Sequence, residues 1–482
     1  MAGFGLPLCI LVDVRDTRPN GIMPNAFASL VLFSWPLVTL VLLRTLPRGR
    51  ALIACILVGY LFLPPPPAGI DLPVLPPLTK ETIPNLSLAF LCAMMWRRDL
   101  EFWPESRLVQ VLIGVFILSP FATVMTNTEP VYYGQVGLPG LQIKEALSLM
   151  SQQAMLIVPF LLARAVLTTA DDQRDLVWAL AIGGLVYSVP MLLEVRLSPQ
   201  LNIWIYGYFQ HNFDQMIRFG GFRPIVFLYH GIWVAFFCMT AVLAAFALMR
   251  NEAGSKKLIL TGAAIYLFGV LFLAKTLGAL VYAVALVPLV LLFGRKTQLL
   301  AAVLMAGLAI GYPLLKGADL VPKEGLLSAA AMVDEDRANS LRFRFDQETI
   351  LMERAYEKPL FGWGIWGRNH ILDENTGQIL TVTDGRWIIR IGMFGWLGFL
   401  AEFLLLATPI FILWRRSLRA DSPSLSPYAI TLALMLGVNM VDLIPNATIT
   451  PLTWLFAGAV LGYAERYQPS RTSRPVVLQT VL

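Results

Sequence analysis

Apolar residues run along this chain in long blocks separated by short polar hinges, with neither strict alternation nor a heptad pattern. Blocks near residues 26–43, 51–63, 83–96, 107–126, 145–163, 175–193, 224–249, 258–273, 276–293, 298–315, 387–413, 427–443 and 449–465 read as membrane-spanning helices. A helix needs about 20 mainly apolar residues to cross the bilayer's hydrocarbon. Three of the blocks (51–63, 83–96 and 258–273) are short, and the apolar run at 6–12 resembles a further remnant, so about 12–14 spans are expected. The predicted fold class is an all-α polytopic membrane helix bundle, one transmembrane domain over residues 1–482. The N-terminus lacks a basic region followed by a cleavage site, so the first span is expected to direct insertion.

Charge gives the bundle a direction. Basic residues gather at Arg44, Arg48 and Arg50; at Arg97, Arg98 and Arg107; at Arg164 and Arg174; and at Arg250, Lys256 and Lys257. Further clusters are Arg295 with Lys296, Arg415 with Arg416 and Arg419, and Arg466 with Arg471 and Arg474. They occupy every second connection. The positive-inside rule makes those connections and the C-terminal tail cytoplasmic. Connections around 64–82, 127–144, 194–223, 316–386 and 443–448 then lie on the outer side. The longest, 316–386, is too long for a structureless loop and predicts a folded cap. Inside it, residues 340–359 read as an amphipathic helix capped by Ser340, with Leu341, Phe345, Met352 and Tyr356 as its apolar stripe and Pro359 after its end. "GWGIWGRNH" follows, a glycine turn whose tryptophans suit an interface or a sugar face.

Composition agrees and excludes other classes. Hydrophobic residues make up 57% and charged residues 14%, against about 25% charged in soluble domains, and the mean hydropathy is +0.67. The net charge of +6 is dispersed among hinges, which is no nucleic-acid footprint. Cys9, Cys55, Cys92 and Cys238 have no metal-ligand or disulfide spacing. Walker, dinucleotide, HExxH and nucleophile-elbow motifs are missing from the sequence.

Candidate chemistry sits in three groups on the expected outer side. In "RFGGFRPIVFLYHG", Arg218 and Arg223 precede His230, which is expected a few residues inside an apolar helix. Guanidinium suits phosphate because it binds bidentately and keeps its charge, although arginines at this depth also snorkel to head groups. On the cap helix stand Arg342 and Arg344, each with a carboxylate four residues on (Asp346, Glu348) for a surface ion pair. Two residues apart on a helix, only one of them can face a shared site. In "TVTDGRWIIRIGMFGWLGF" are Asp384, Arg386 and Arg390, with Glu402 deeper, where the arginines line a polar cavity or pair internally. His370 is a loop histidine able to accept a proton near neutral pH. Lys275 marks a tight outer turn.

In this order the three groups resemble the O-antigen polymerase and O-antigen ligase superfamily of bacterial membrane proteins, over about residues 210–410. "RPIVFLYHG" resembles its Arg-Pro…His element, "R…YEKPLFGWG" its arginine before a Pro-Leu-Phe-Gly-x-Gly turn, with Arg344 at that place, and "RIGMFGWLGF" its Gly-x-x-Gly helix. Many members carry a His-Asn pair just before that helix. Here "TVTDGRW" has none, which favours a polymerase over a ligase unless His370 substitutes from earlier in the loop.

The resemblance implies a GT-C-like bundle with a large periplasmic loop in the bacterial inner membrane. It also implies an undecaprenyl-diphosphate-linked glycan as donor, transfer without metal or other cofactor, no nucleic acid, and membrane lipid, a flippase and a chain-length regulator as partners. On that reading Arg223, Arg344 and Arg390 clamp the diphosphate and Arg386 orients it. Asp384 or His370 takes the acceptor proton, and Arg218, Arg342 and His230 contribute to substrate binding. A ligase, a lipid-linked oligosaccharide flippase or transporter, and a scaffold subunit of an export complex remain as rival readings.

Overall fold

The computed structural model describes residues 23–72, 76–218, 220–333, 335–418 and 425–467. Cys9, the apolar run at 6–12, Arg419, Arg471, Arg474 and the tail after 467 lie outside them. The elements in order are α1 (Ala26–Thr45), α2 (Arg48–Phe62), α3 (Thr82–Trp96), α4 (Arg107–Met125), β1 (Val131–Tyr133), β2 (Val136–Leu138), α5 (Ile143–Leu156), α6 (Val158–Val166), α7 (Ala170–Leu197) and α8 (Leu201–Tyr206). After them come β3 (Ile217–Arg218), β4 (Gly221–Phe222), α9 (Gly231–Asn251), α10 (Gly254–Leu273), α11 (Leu277–Leu292), α12 (Arg295–Gly317), α13 (Lys323–Val333), α14 (Glu335–Tyr356), α15 (Arg386–Ser417), α16 (Pro427–Asp442) and α17 (Pro451–Arg466).

Helix accounts for 71% of the described residues, and β1–β2 and β3–β4 are short antiparallel hairpins. Among the described residues eight segments are long and apolar enough to cross a membrane, and α3, α11 and α16 are shorter apolar helices. Each apolar block read from the sequence coincides with a helix. The block at 145–163 is broken at Ile157, because Pro159 at the start of α6 lacks the amide a continuous helix needs. α9 is the hub: 83% of its most apolar window is buried, against 28% in α1 and α10. Those peripheral helices turn Leu30, Leu37, Leu258, Ile265 and Phe272 outward, an apolar surface suited to lipid.

The basic hinges meet at one end of the bundle. Arg48 pairs with Asp99, Arg50 with Asp175 at 2.7 Å and Arg174 with Glu252, while Arg250 donates to the Phe293 carbonyl and Arg295 to that of Leu425. Arg164 is buried against Glu465 at 2.6 Å, and Glu465 also accepts the amides of Glu105 and Ser106. Arg416 closes the ring by donating to the Glu465 and Tyr467 carbonyls.

Three sequence expectations change at the opposite end. α9 begins at Gly231, not at 224, because Glu194 of α7 accepts the amides of Ile225 and Val226 at 2.8 and 2.7 Å and holds that stretch out of the helix. His230 is therefore the N-cap, its Nδ1 accepting the Ile232 amide, and is not inside the span. The amphipathic helix α14 starts at Glu335, so Ser340 is interior and caps nothing.

Glycines decide how the cap docks. α15 is interrupted at Gly395, whose φ of 64° falls in the left-handed region, and residues 359–364 lie across the break. Trp396 and Leu397 donate to the Pro359 and Leu360 carbonyls at 2.8 and 3.3 Å, and Trp363 and Gly364 donate to those of Gly392 and Met393 at 2.9 and 2.8 Å. A Cβ on Gly395 would stand 2.3 Å from the Leu360 backbone. The glycine turn thus satisfies the groups the broken helix releases, and its Trp363 is buried under the Arg354 guanidinium at 3.4 Å, unavailable to stack on a sugar.

Candidate active site

Four arginines gather where the connection before α9 meets the cap helix. Arg223 donates its amide to the Met216 carbonyl, and Pro224 and the Glu194 anchor then fix the chain. Its side chain crosses the start of α9 where Gly231 has no Cβ; a Cβ there would lie 2.1 Å from the Arg223 Cδ. Arg218, Arg337 and Arg344 surround it. Burial and then these three charges push the Arg223 guanidinium down to about 10. Burial, then Arg337 and Arg344, lowers Arg218 in the same way. Arg223 is only 4% exposed, and among the described residues it has no carboxylate in contact and no acceptor for its buried Nε. Holding such a charge out of water costs on the order of several kcal/mol unless an anion arrives.

Arg344 does not pair with Glu348. Its Nε contacts the Asp384 carboxylate at 3.0 Å, while Glu348 is taken by Lys316 at 3.2 Å and by the Tyr312 hydroxyl at 3.0 Å, which fastens α14 to α12. Arg344 also lies beside Asp442, which hydrogen-bonds Tyr282, Asn446 and Thr448. Arg342 is exposed and makes no ion pair with Asp346 among the described residues. One of the two cap arginines faces the site, as the two-residue spacing predicts. His230 joins the same cluster with its ring 4.7 Å from that of His211, and burial followed by Arg223 lowers its proton affinity.

Arg386 and Arg390 behave differently. Arg386 chelates Glu402 at 2.7 and 3.0 Å, and Arg390 reaches the same carboxylate at 2.7 Å, all within α15, where Glu402 is 0% exposed. The internal pairing weighed for Arg390 is present and includes Arg386. Both still line a cleft of about 1030 Å³, counted to its open mouth, between the starts of α3, α9, α15 and α17 and the flank of α5. Glu81 lines it too, hydrogen-bonded to Tyr229 and raised by burial. Its neighbour Lys80 donates to the Phe227 carbonyl at 2.7 Å and is pushed down to about 7 by burial.

His370 is not an exposed loop histidine. It is buried under the β1–β2 hairpin: Nδ1 meets the Thr381 hydroxyl at 2.9 Å, its carbonyl accepts from Tyr133, and burial holds it down to about 4. Arg344, Asp384, Arg218, Arg223 and His230 are thus brought together, Arg386 and Arg390 adjoin them across the cleft, and His370 and Arg342 stand apart. Lys275 sits at the tight turn before α11 and donates to the Arg218 carbonyl at 3.1 Å. Among the described residues no three His, Cys, Asp or Glu side chains converge as a metal cage requires.

Sequence reading missed Arg337, hidden in an acid-rich stretch that resembles a solvated helix start. It also missed Glu81, Glu194, Gln153 and Asp442, single polar residues in or beside apolar blocks; the cost of placing them there was the available signal. Fold and site define a multi-pass α-helical membrane protein with an arginine cluster at the end remote from its basic hinges. No family model matches the chain, and no curated protein matches it significantly.

Proposed function

We propose that this protein is a bacterial inner-membrane glycosyltransferase that polymerises undecaprenyl-diphosphate-linked oligosaccharide units into O-antigen or exopolysaccharide. The buried Arg223 beside Arg218, Arg337 and Arg344, without a carboxylate partner among the described residues, carries this reading, because a diphosphate supplies the opposite charge. The basic hinges face the cytoplasm, and the cap and arginine pocket face the periplasm in a GT-C-like bundle of about 12–14 spans. The acceptor hydroxyl attacks the anomeric carbon of the donor as the bond to the diphosphate breaks, with inversion. Negative charge grows on the diphosphate, where Arg223 and Arg344 stabilise it and Arg218 and Arg337 add field, while Arg386 and Arg390, already neutralised by Glu402, hold α15 in place. A diphosphate that engages Arg344 releases Asp384, which takes the hydroxyl proton. His370, buried on Thr381 and Tyr133 apart from the arginine cluster, supports the loop. A flippase supplies the substrate and a chain-length regulator limits the product.

The test is the size distribution of lipid-linked and surface polysaccharide in a deletion strain carrying wild-type or Arg344→Ala copies at matched membrane levels. Single lipid-linked units that only the wild type extends support the polymerase. Long chains retained on the carrier identify a ligase, and unchanged glycan removes glycosyl transfer for that polymer.

A further inference from the structure

The cleft beside the arginine pocket differs from it in a way that points to a second ligand. Its polar walls are balanced: Arg386 and Arg390 are met by Glu402 behind them and Glu81 across from them, and Lys80 is occupied by the Phe227 carbonyl. Gln153 of α5 lines the cleft at 2% exposure, and neither its amide nitrogen nor its amide oxygen has a hydrogen-bond partner. Trp454 lines it as well, with its indole N–H also unpaired. Protein groups leave these atoms unpaired, and buried polar atoms of native folds are met by a ligand or an ordered water instead. Tyr229 and Trp233 add aromatic surface. Both amide functions, a carboxylate, an indole N–H and aromatic walls in a cleft without net charge match a neutral polyol.

We infer that this cleft binds carbohydrate, the non-reducing end of the acceptor glycan, with Gln153 and Glu81 hydrogen-bonding its hydroxyls while the arginine pocket holds the donor diphosphate. The acceptor role rests on the glycosyl-transfer reading, whereas carbohydrate binding stands by itself. The full chain in detergent is titrated with oligosaccharide released by mild acid from the source strain's surface polysaccharide, and separately with undecaprenyl diphosphate.

Gln153→Leu is expected to weaken oligosaccharide binding about tenfold and leave undecaprenyl diphosphate binding unchanged. It is also expected to raise the unfolding temperature, because an unpaired buried amide is removed. Glu81→Gln is expected to weaken the oligosaccharide to a similar degree. The inference is overturned if the wild type binds no oligosaccharide at millimolar concentration, or if Gln153→Leu binds it as well as the wild type. It also falls if that variant unfolds at a lower temperature, or if it loses undecaprenyl diphosphate instead. Arg223→Ala separates the two readings: expected to lose undecaprenyl diphosphate binding alone, it sinks the donor site and leaves the cleft standing if it keeps that binding while Gln153→Leu loses the oligosaccharide.

Discussion

Two sets of arginines lie side by side at the loop end and solve the cost of a buried charge in opposite ways. Arg386 and Arg390 close on one carboxylate in their own helix, and Glu402 is withdrawn from solvent altogether. Arg218, Arg223, Arg337 and Arg344 come from two distant segments; burial and the neighbouring charges lower the hold of Arg218 and Arg223 on the proton, and Arg344 engages Asp384. The first set is complete and belongs to the fold. The second stores unfavourable charge that a phosphorylated ligand relieves. Residue type and depth are shared, so the counter-ion alone separates a structural arginine from a ligand-binding one.

That contrast breaks most visibly at Glu402. Glu402→Ala leaves two buried cations on α15 without their shared carboxylate and is expected to cost about 3–5 kcal/mol, read as a fall in detergent unfolding temperature and in membrane abundance. Arg223→Ala is expected to behave in the opposite sense. Polymer formation should drop about 100- to 1000-fold, as on loss of a donor to developing charge, while the unfolding temperature holds or rises. A stability loss at Arg223 as large as that at Glu402 would erase the distinction.

A smaller effect sharpens the electrostatic picture. Lys80 titrates near 7 in the fold against 10.5 unfolded, so between those values the unfolded chain binds the extra proton and stability rises with pH. Lys80→Met should flatten that rise, measured as the difference between variant and wild type in unfolding temperature from pH 7 to about pH 10. The least is expected of Arg342→Ala. An exposed side chain outside the cluster should change stability by less than about 0.5 kcal/mol and leave chain length unaltered.

Much of the bundle was legible along the chain. Block length marked the long apolar helices, though not α8 or α13, and the arginine cluster and the ion-paired ring of basic hinges lie at opposite ends. Boundaries set by contact were not legible. Nothing local tells that Glu194 will draw residues 225 and 226 out of α9, or that α15 will break at Gly395 to receive residues 359–364.

Within the site, arginine content and order were readable, and their partners were not. Spacing on α14 offered Arg344 a carboxylate one turn away, yet Glu348 is claimed by Lys316 from another helix and Arg344 turns to Asp384 beyond the glycine loop. His370 looked solvated because its neighbours are polar, but a hairpin from 131–138 covers it.

The sequence by itself determined that this is a many-helix membrane protein and where most of its apolar helices and basic hinges lie. Those properties follow from hydrophobic length and charge position, which each segment carries alone. Only the tertiary structure decided which arginines are neutralised, which histidine is buried and where a cleft with an unpaired amide opens. Counter-ions and cavities are made between segments far apart in the chain, and their energies depend on distance and burial that no local pattern records.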